Sequence, residues 1–390
     1  MKGRILGATS LAVFANGFRP FFLLGAAFAA VAIALWLPEF YGDITIRTAF
    51  TPVAWHIHEM LFGYLAAAVT GFLLTAIPNW TGRLPIRGRP LMLLAALWLI
   101  GRATVSVSEW TGWLAAMIVD CGFLLTVLLV IVCEIVGGNN LRNLKVAALV
   151  GILAISNIAF HIEAHVSGAP DYATRVGIGG MLLLVMIIGG RIIPSFTHNW
   201  LARQLPGRMP IAFNRFDIAV ILVSVVALLA WILFPEAKTT AEVSALAGIL
   251  QFVHLARWAG ERTWPDRLVL VLHVAYLFVP AGFLLLPASI IFEIPRSAAV
   301  HAWTVGAMAT LSLAVMTRAT LGHTGHALKA NAGTQIVYGA VVLAALARVA
   351  AAIFGSQSDA LLHLSALAWL AAFAGFLVVF GPMLIQRRER

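Results

Sequence analysis

Stretches of roughly 20 apolar residues, broken by short polar connections, recur along the whole chain, and a helix of that length matches the hydrocarbon thickness of a bilayer. The runs fall at about 18–37, 53–77, 90–108, 110–134, 144–166, 172–194, 214–234, 242–260, 268–288, 297–318, 333–354 and 360–385. Inside lipid, each such segment satisfies its own backbone hydrogen bonds by forming a helix. The pattern therefore predicts an all-α, polytopic membrane protein with about 12 transmembrane helices. No connection is long enough for a soluble domain, so residues 1–390 form a single transmembrane domain. The first run lacks a small-residue cleavage pattern and reads as a retained span.

Composition agrees, with 61% hydrophobic and 11% charged residues and a mean hydropathy of +0.95. The net charge of +10 does not point to nucleic acid, because the basic residues sit singly between apolar runs without clustering. It points to the positive-inside rule. With the N-terminus inside, only Arg47, Arg102, Arg175, Lys238, Arg296 and Arg348 fall on the outer side, and the other 20 of the 26 basic residues fall on the inner side. Both ends are thus expected in the cytoplasm. Cys121 and Cys133 lie in one run, about 18 Å apart on a helix, too far for a mutual disulfide.

Three segments align without gaps: His58 to Thr81, Thr174 to Thr197 and His301 to Thr324. The alignment superposes Gly63, Gly179 and Gly306, and sets Ile77-Pro78-Asn79-Trp80-Thr81 over Ile193-Pro194-Ser195-Phe196-Thr197. The four-span spacing suggests three four-helix repeats, at 1–138, 139–260 and 261–390. In that frame His58 and His301 occupy equivalent positions near the outer ends of two spans.

Ionisable residues within a membrane are costly and mark functional sites by default. The topology sorts the histidines into an outer layer (His56, His58, His161, His165, His301 and His363) and an inner one (His198, His254, His273, His323 and His326). His56 and His58 point about 200° apart on a regular helix, so they do not share one metal. His161 and His165 lie four residues apart on one face, suitable for a shared transition metal. His301 is expected to face His58 across the bundle, and two imidazoles from different helices are the usual ligands of a six-coordinate haem b. Imidazole-rich sites with few carboxylates suit copper better than magnesium or calcium. His273 and His323 form a candidate second haem or copper site, with His326 close by in sequence. His198, His254, His326 and His363 read as interfacial contacts or caps. No phosphate-binding loop, Cys-x-x-Cys or covalent haem-attachment motif is present, so any haem is held non-covalently.

The runs Gly17-Phe18-Arg19-Pro20-Phe21-Phe22-Leu23-Leu24, Trp55-His56-Ile57-His58-Glu59-Met60-Leu61-Phe62-Gly63 and Met316-Thr317-Arg318-Ala319-Thr320-Leu321-Gly322-His323-Thr324-Gly325 resemble the NnrS family. So do Gly71-Phe72-Leu73-Leu74-Thr75-Ala76-Ile77-Pro78-Asn79-Trp80-Thr81-Gly82 and Leu272-His273-Val274-Ala275-Tyr276. The resemblance implies a bacterial inner-membrane protein containing haem and copper, associated with denitrification and with resistance to nitric oxide stress. Carried over, the motif histidines are His56, His58, His161, His273, His301 and His323. The architecture also resembles haem–copper oxidase catalytic subunits, whose spans are arranged pseudo-threefold. An adjacent His-His pair and a His-Pro-Glu-Val-Tyr stretch are missing here, so the likeness does not license oxygen or nitric oxide reduction.

Two function classes follow. One is a haem and copper protein that binds nitric oxide or turns it over. The other is a secondary transporter, exporting a metal or nitrosyl complex, which the span count and repeat favour but the scarcity of membrane-centre carboxylates does not. A sensor or assembly factor handing haem or copper to a partner reductase is a third.

Overall fold

The computed structural model describes residues 12–292 and 294–386. Of the basic residues counted on the inner side, Lys2, Arg4, Arg387, Arg388 and Arg390 lie outside that range. The helices run in order α1 (Phe18–Tyr41), α2 (Pro52–Thr81), α3 (Arg89–Ser106), α4 (Trp113–Gly137), α5 (Leu144–Ser167) and α6 (Asp171–Leu201). They continue as α7 (Arg215–Leu233), α8 (Lys238–Ala256), α9 (Arg267–Ile291), α10 (Ser297–His323), α11 (Ala332–Ile353) and α12 (Ser358–Ile385). Eleven helices among the described residues are long and apolar enough to cross a membrane. The further one is α8, whose 19 residues match α7 in length but whose Glu242, Gln251 and His254 dilute its apolar character. Each expected span thus has its helix, and the short connection between the third and fourth carries a one-turn helix, Ser108–Thr111.

Local sequence explains the boundaries. Thr51 caps α2 by accepting a hydrogen bond from the Ala54 N–H at 3.3 Å, with Pro52 in the first turn where no N–H is needed. Gly42 ends α1 in a left-handed conformation with φ 83°, where a Cβ would be strained. Asn214 and Asp217 form a reciprocal capping box at the start of α7. At the opposite end of the chain's path, Arg19 donates to the carbonyls of Leu384 and Gln386 at 3.0 and 2.9 Å. The first turn of α1 and the last turn of α12 therefore share one face of the bundle, hereafter the terminal face.

Consecutive helices pack against one another and α1 closes on α12, while α10 also meets both α2 and α6 across the middle. The apolar windows of α2 and α10 are 72% and 67% buried, against 33% for α7 and 39% for α4. Those two central helices share a second feature. Each contains a π-helical stretch, Glu59–Leu65 in α2 and Ala302–Ala309 in α10, beginning directly after His58 and His301. The stretches fall on the residues that the gapless alignment superposes, and α6 has none. A π turn widens the helix and re-aims its side chains, and such turns concentrate at functional sites.

Candidate functional site

Near the face opposite the termini, α2, α3, α4 and α5 bury six polar side chains together. His58 and Glu59 are fully buried, and Arg102, Asp120, Asn157 and His161 nearly so. Arg102 lies between two carboxylates, donating through Nη1 to Glu59 Oε2 at 2.7 Å and pairing through Nη2 with Asp120 Oδ1. Asp120 Oδ2 accepts from Asn157 Nδ2 at 2.8 Å and lies 3.1 Å from both His58 Nε2 and His161 Nε2. His58 Nδ1 meets Glu59 Oε1 at 3.1 Å. Gly63 makes room for this crossing: a Cβ there would come within 2.9 Å of Glu59 Oε2 and 3.1 Å of Arg102 Nη1. Phe50 covers both imidazoles, its ring centroid 5.1 Å from each.

Charge accounting makes this cluster unusual. Two carboxylates face one guanidinium in a region that water does not reach, and a net buried charge is expensive. One more cation balances it, either a proton on His58, both of whose ring nitrogens face acceptors, or a metal ion. His58, Asp120 and His161 can each offer one ligand atom, and these atoms all lie within 4.8 Å of one another. The 3.1 Å separations of Asp120 Oδ2 from both imidazole nitrogens are close to the spacing of donors bonded at about 2.0–2.2 Å to one ion, and two imidazoles with one carboxylate suit copper or zinc.

Beside the cluster, on the other side of α2, a cavity of about 930 Å³ is lined by Trp36, His56, Tyr64, His301, Arg348 and Trp369 among others. His301 Nδ1–H donates to the Ser297 carbonyl at 2.6 Å. That bond fixes the tautomer and leaves the Nε2 lone pair free, the usual preparation of a ligating histidine. His56 stacks on Trp36 with centroids 4.1 Å apart. Its Nδ1 is buried without a hydrogen-bond partner. The volume lies at the upper end of small-molecule sites, about 300–1,000 Å³, and the walls are mostly apolar with arginines at Arg175, Arg296 and Arg348. Two imidazoles with uncommitted nitrogens, apolar walls and guanidinium groups together fit a flat apolar macrocycle carrying carboxylates.

The histidines therefore pair differently from the expectation. His56, rather than His58, shares a cavity with His301, because residues two apart on a helix point to opposite sides and His58 turns toward α4 and α5. His161 joins His58 and Asp120, while His165 is exposed and stacks on Trp113 at 4.1 Å. On the terminal face, His273 Nε2 bonds Thr197 Oγ1 at 2.8 Å. His323 is exposed beside Phe18, and no contact among the described residues joins those two histidines. His326 donates through Nδ1 to Thr324 Oγ1 at 2.7 Å, and His198 and His363 are exposed. His254, read from sequence as interfacial, is buried with its Nε2 3.1 Å from Asp217 Oδ1.

Sequence reasoning missed Glu59, Arg102, Asp120 and Asn157 as members of the cluster. Asn157 and His161 are one turn apart on α5, a spacing that signals a shared polar face.

A family model described as NnrS protein matches residues 12–388, nearly the whole chain. The chain belongs to the NnrS family. Among curated proteins, none matches it. The NnrS motifs Trp55-His56-Ile57-His58-Glu59-Met60 and Leu321-Gly322-His323-Thr324-Gly325 bracket the two central helices that carry π turns, and the first of them supplies a histidine to each of the two sites. Family membership suggests a role in the nitric oxide response.

Proposed function

We propose that this protein is a haem- and copper-binding protein of the bacterial inner membrane that binds nitric oxide, or turns it over, and relieves nitrosative stress during denitrification. The observation that carries the reading is the adjacency of two histidine sites of different character on one turn of α2. His56 opens onto a large apolar cavity shared with His301, and His58 enters a compact cluster with His161 and Asp120.

In this reading His56 and His301 hold haem b, with Arg348 and its neighbours meeting the propionates, and His58, Asp120 and His161 hold copper. Bound haem supplies a redox-active iron able to take nitric oxide as a ligand. The chain's own residues do the rest. His301 is anchored through Nδ1, whereas His56 Nδ1 has no hydrogen-bond partner, so of the two residues that would hold the group His56 would be the less firmly positioned. Trp36 holds the His56 ring by stacking, and the apolar walls exclude water. Arg102 pairs with both Glu59 and Asp120 and so holds the Asp120 carboxylate facing the two imidazoles. With the basic residues inside, both termini are cytoplasmic and both sites face the periplasmic half of the bilayer.

The test is haem and copper content of the purified protein. A Soret band lost in His301→Ala but kept in His161→Ala, with copper lost in the reverse pattern, supports the reading; a protein with neither cofactor refutes it. Anaerobic nitric oxide consumption with a reductant, compared between wild type and His301→Ala, separates turnover from binding. The transporter reading draws support from the same cavity, which is large enough for a complexed metal. Cofactor-free protein that catalyses uptake into liposomes would establish that reading instead.

A further inference from the structure

A second, smaller space lies deeper in the bundle. It measures about 70 Å³ and lies, partly open, between α1, α2, α6 and α10, with Leu65, Ala68, Met181, Met308 and Leu311 among its walls. These residues fall near the middle of their helices, so the void sits at the centre of the bilayer. Its walls are apolar except for Ser312, and that hydroxyl is already committed. It donates to the Ala309 carbonyl at 2.8 Å and accepts from Tyr64 Oη at 2.6 Å.

Size and chemistry together select the occupant. One water needs about 10–15 Å³ of such space and two to four polar partners. The void has the room but not the partners. A lipid chain is far too long for it. An uncharged diatomic or a noble-gas atom fits, gains dispersion contacts with the methionine and leucine walls, and partitions into the bilayer centre in any case.

Position gives the void a purpose. Leu65 lines both this space and the large cavity of His56 and His301. Tyr64 lines the cavity, Ser312 lines the void, and the bond between them forms part of the partition. Both π-helical stretches end at this wall, with Leu65 closing one and Met308 and Ala309 closing the other. We propose that the central void is a binding site for a small, uncharged, apolar gas molecule, from which the gas passes the Leu65 and Tyr64–Ser312 partition into the histidine cavity. The gas being nitric oxide rests on the function proposed above; the site itself does not.

Xenon is the probe, because it reports apolar voids without needing any cofactor. Full-length protein pressurised with xenon should show a bound atom between Leu65, Met181, Met308 and Leu311, lost in Ala68→Phe. Because Ala68→Phe loads a packed helix, Val185→Phe fills the void from its less buried wall and should also remove the atom. No xenon there in wild type, or xenon that persists in both variants, overturns the proposal. In protein that carries haem, rebinding of carbon monoxide after photolysis should slow in the same variants, and an unchanged rate overturns the route. Xenon bound in a protein without a Soret band leaves the gas site standing and refutes only the haem reading.

Discussion

Replacing Arg102 with Met removes the guanidinium between Glu59 and Asp120 while keeping most of the side-chain volume. The guanidinium touches both carboxylates, at 2.7 Å from Glu59 Oε2 and in contact with Asp120 Oδ1. With charge centres roughly 4 Å apart and an effective dielectric of about 20, each attraction is worth about 4 kcal/mol. Much of that offsets the desolvation of three buried charges. What the substitution exposes is therefore the uncompensated remainder, about 3–5 kcal/mol when one partner of a buried pair is lost. Part of it returns in the double variant Glu59→Gln/Arg102→Met, which also removes one of the stranded carboxylates. The assay is denaturant unfolding in mixed micelles, monitored by far-ultraviolet circular dichroism, with and without copper. Copper should stabilise Arg102→Met more than wild type, since the ion then supplies the missing positive charge. A loss below about 1 kcal/mol, or an equal copper effect in both proteins, would refute the charge accounting on which the metal assignment rests.

Other consequences can be checked alongside it. Metal binding to His58 and His161 displaces protons, so copper affinity should fall as pH is lowered, measured by competition with a chromogenic chelator; a flat profile contradicts the ligand set. Trp36→Ala frees the His56 ring and should broaden or shift the Soret band, whereas the same change at Trp113, which stacks on exposed His165, should leave the spectrum unaltered. At the cavity rim, Arg296 lies 2.7 Å from Glu236 and holds that exposed carboxyl below its usual range. A depressed carboxyl contributes stability above its unfolded pKa and loses it as pH falls, so hydrogen exchange in the α7–α8 connection should rise as pH drops through roughly 5 to 3, beyond the intrinsic change, and should not in Glu236→Gln.

Most of the fold was legible because lipid leaves a chain few choices. Apolar runs of bilayer length marked every long helix, α8 included despite its polar residues. The site was legible only in part. Composition and topology singled out the outer-layer histidines, and His56, His58, His161 and His301 do lie near the face opposite the termini. Their pairing was not readable, since it depends on rotation about α2 and on which neighbour each helix side meets. Asp120 lies along an apolar span, and nothing local tied it to His161, 41 residues on. Arg102 was counted as an outer charge because the positive-inside rule sees a residue's side of the membrane and not its burial. The His161–His165 spacing was suggestive and uninformative, because a shared helix face still lets one ring enter the bundle while the next reaches solvent.

The arrangement on α2 suggests why such a motif places two histidines on either side of one residue. His56 and His58 turn to opposite sides of the helix, one toward the cavity and one toward the cluster, so a single turn of backbone belongs to both. That turn runs directly into the π stretch at Glu59–Leu65, whose first residue is held by Arg102 and whose last forms the wall of the central void. Under the proposed function, a shift at His58 on gaining a metal would be carried along the same turn to His56 and on toward Leu65. Two separate helices would have insulated the sites from one another; one helix with a widened turn joins them mechanically, and α10, with its own π stretch beginning after His301, supplies the facing half of the same joint.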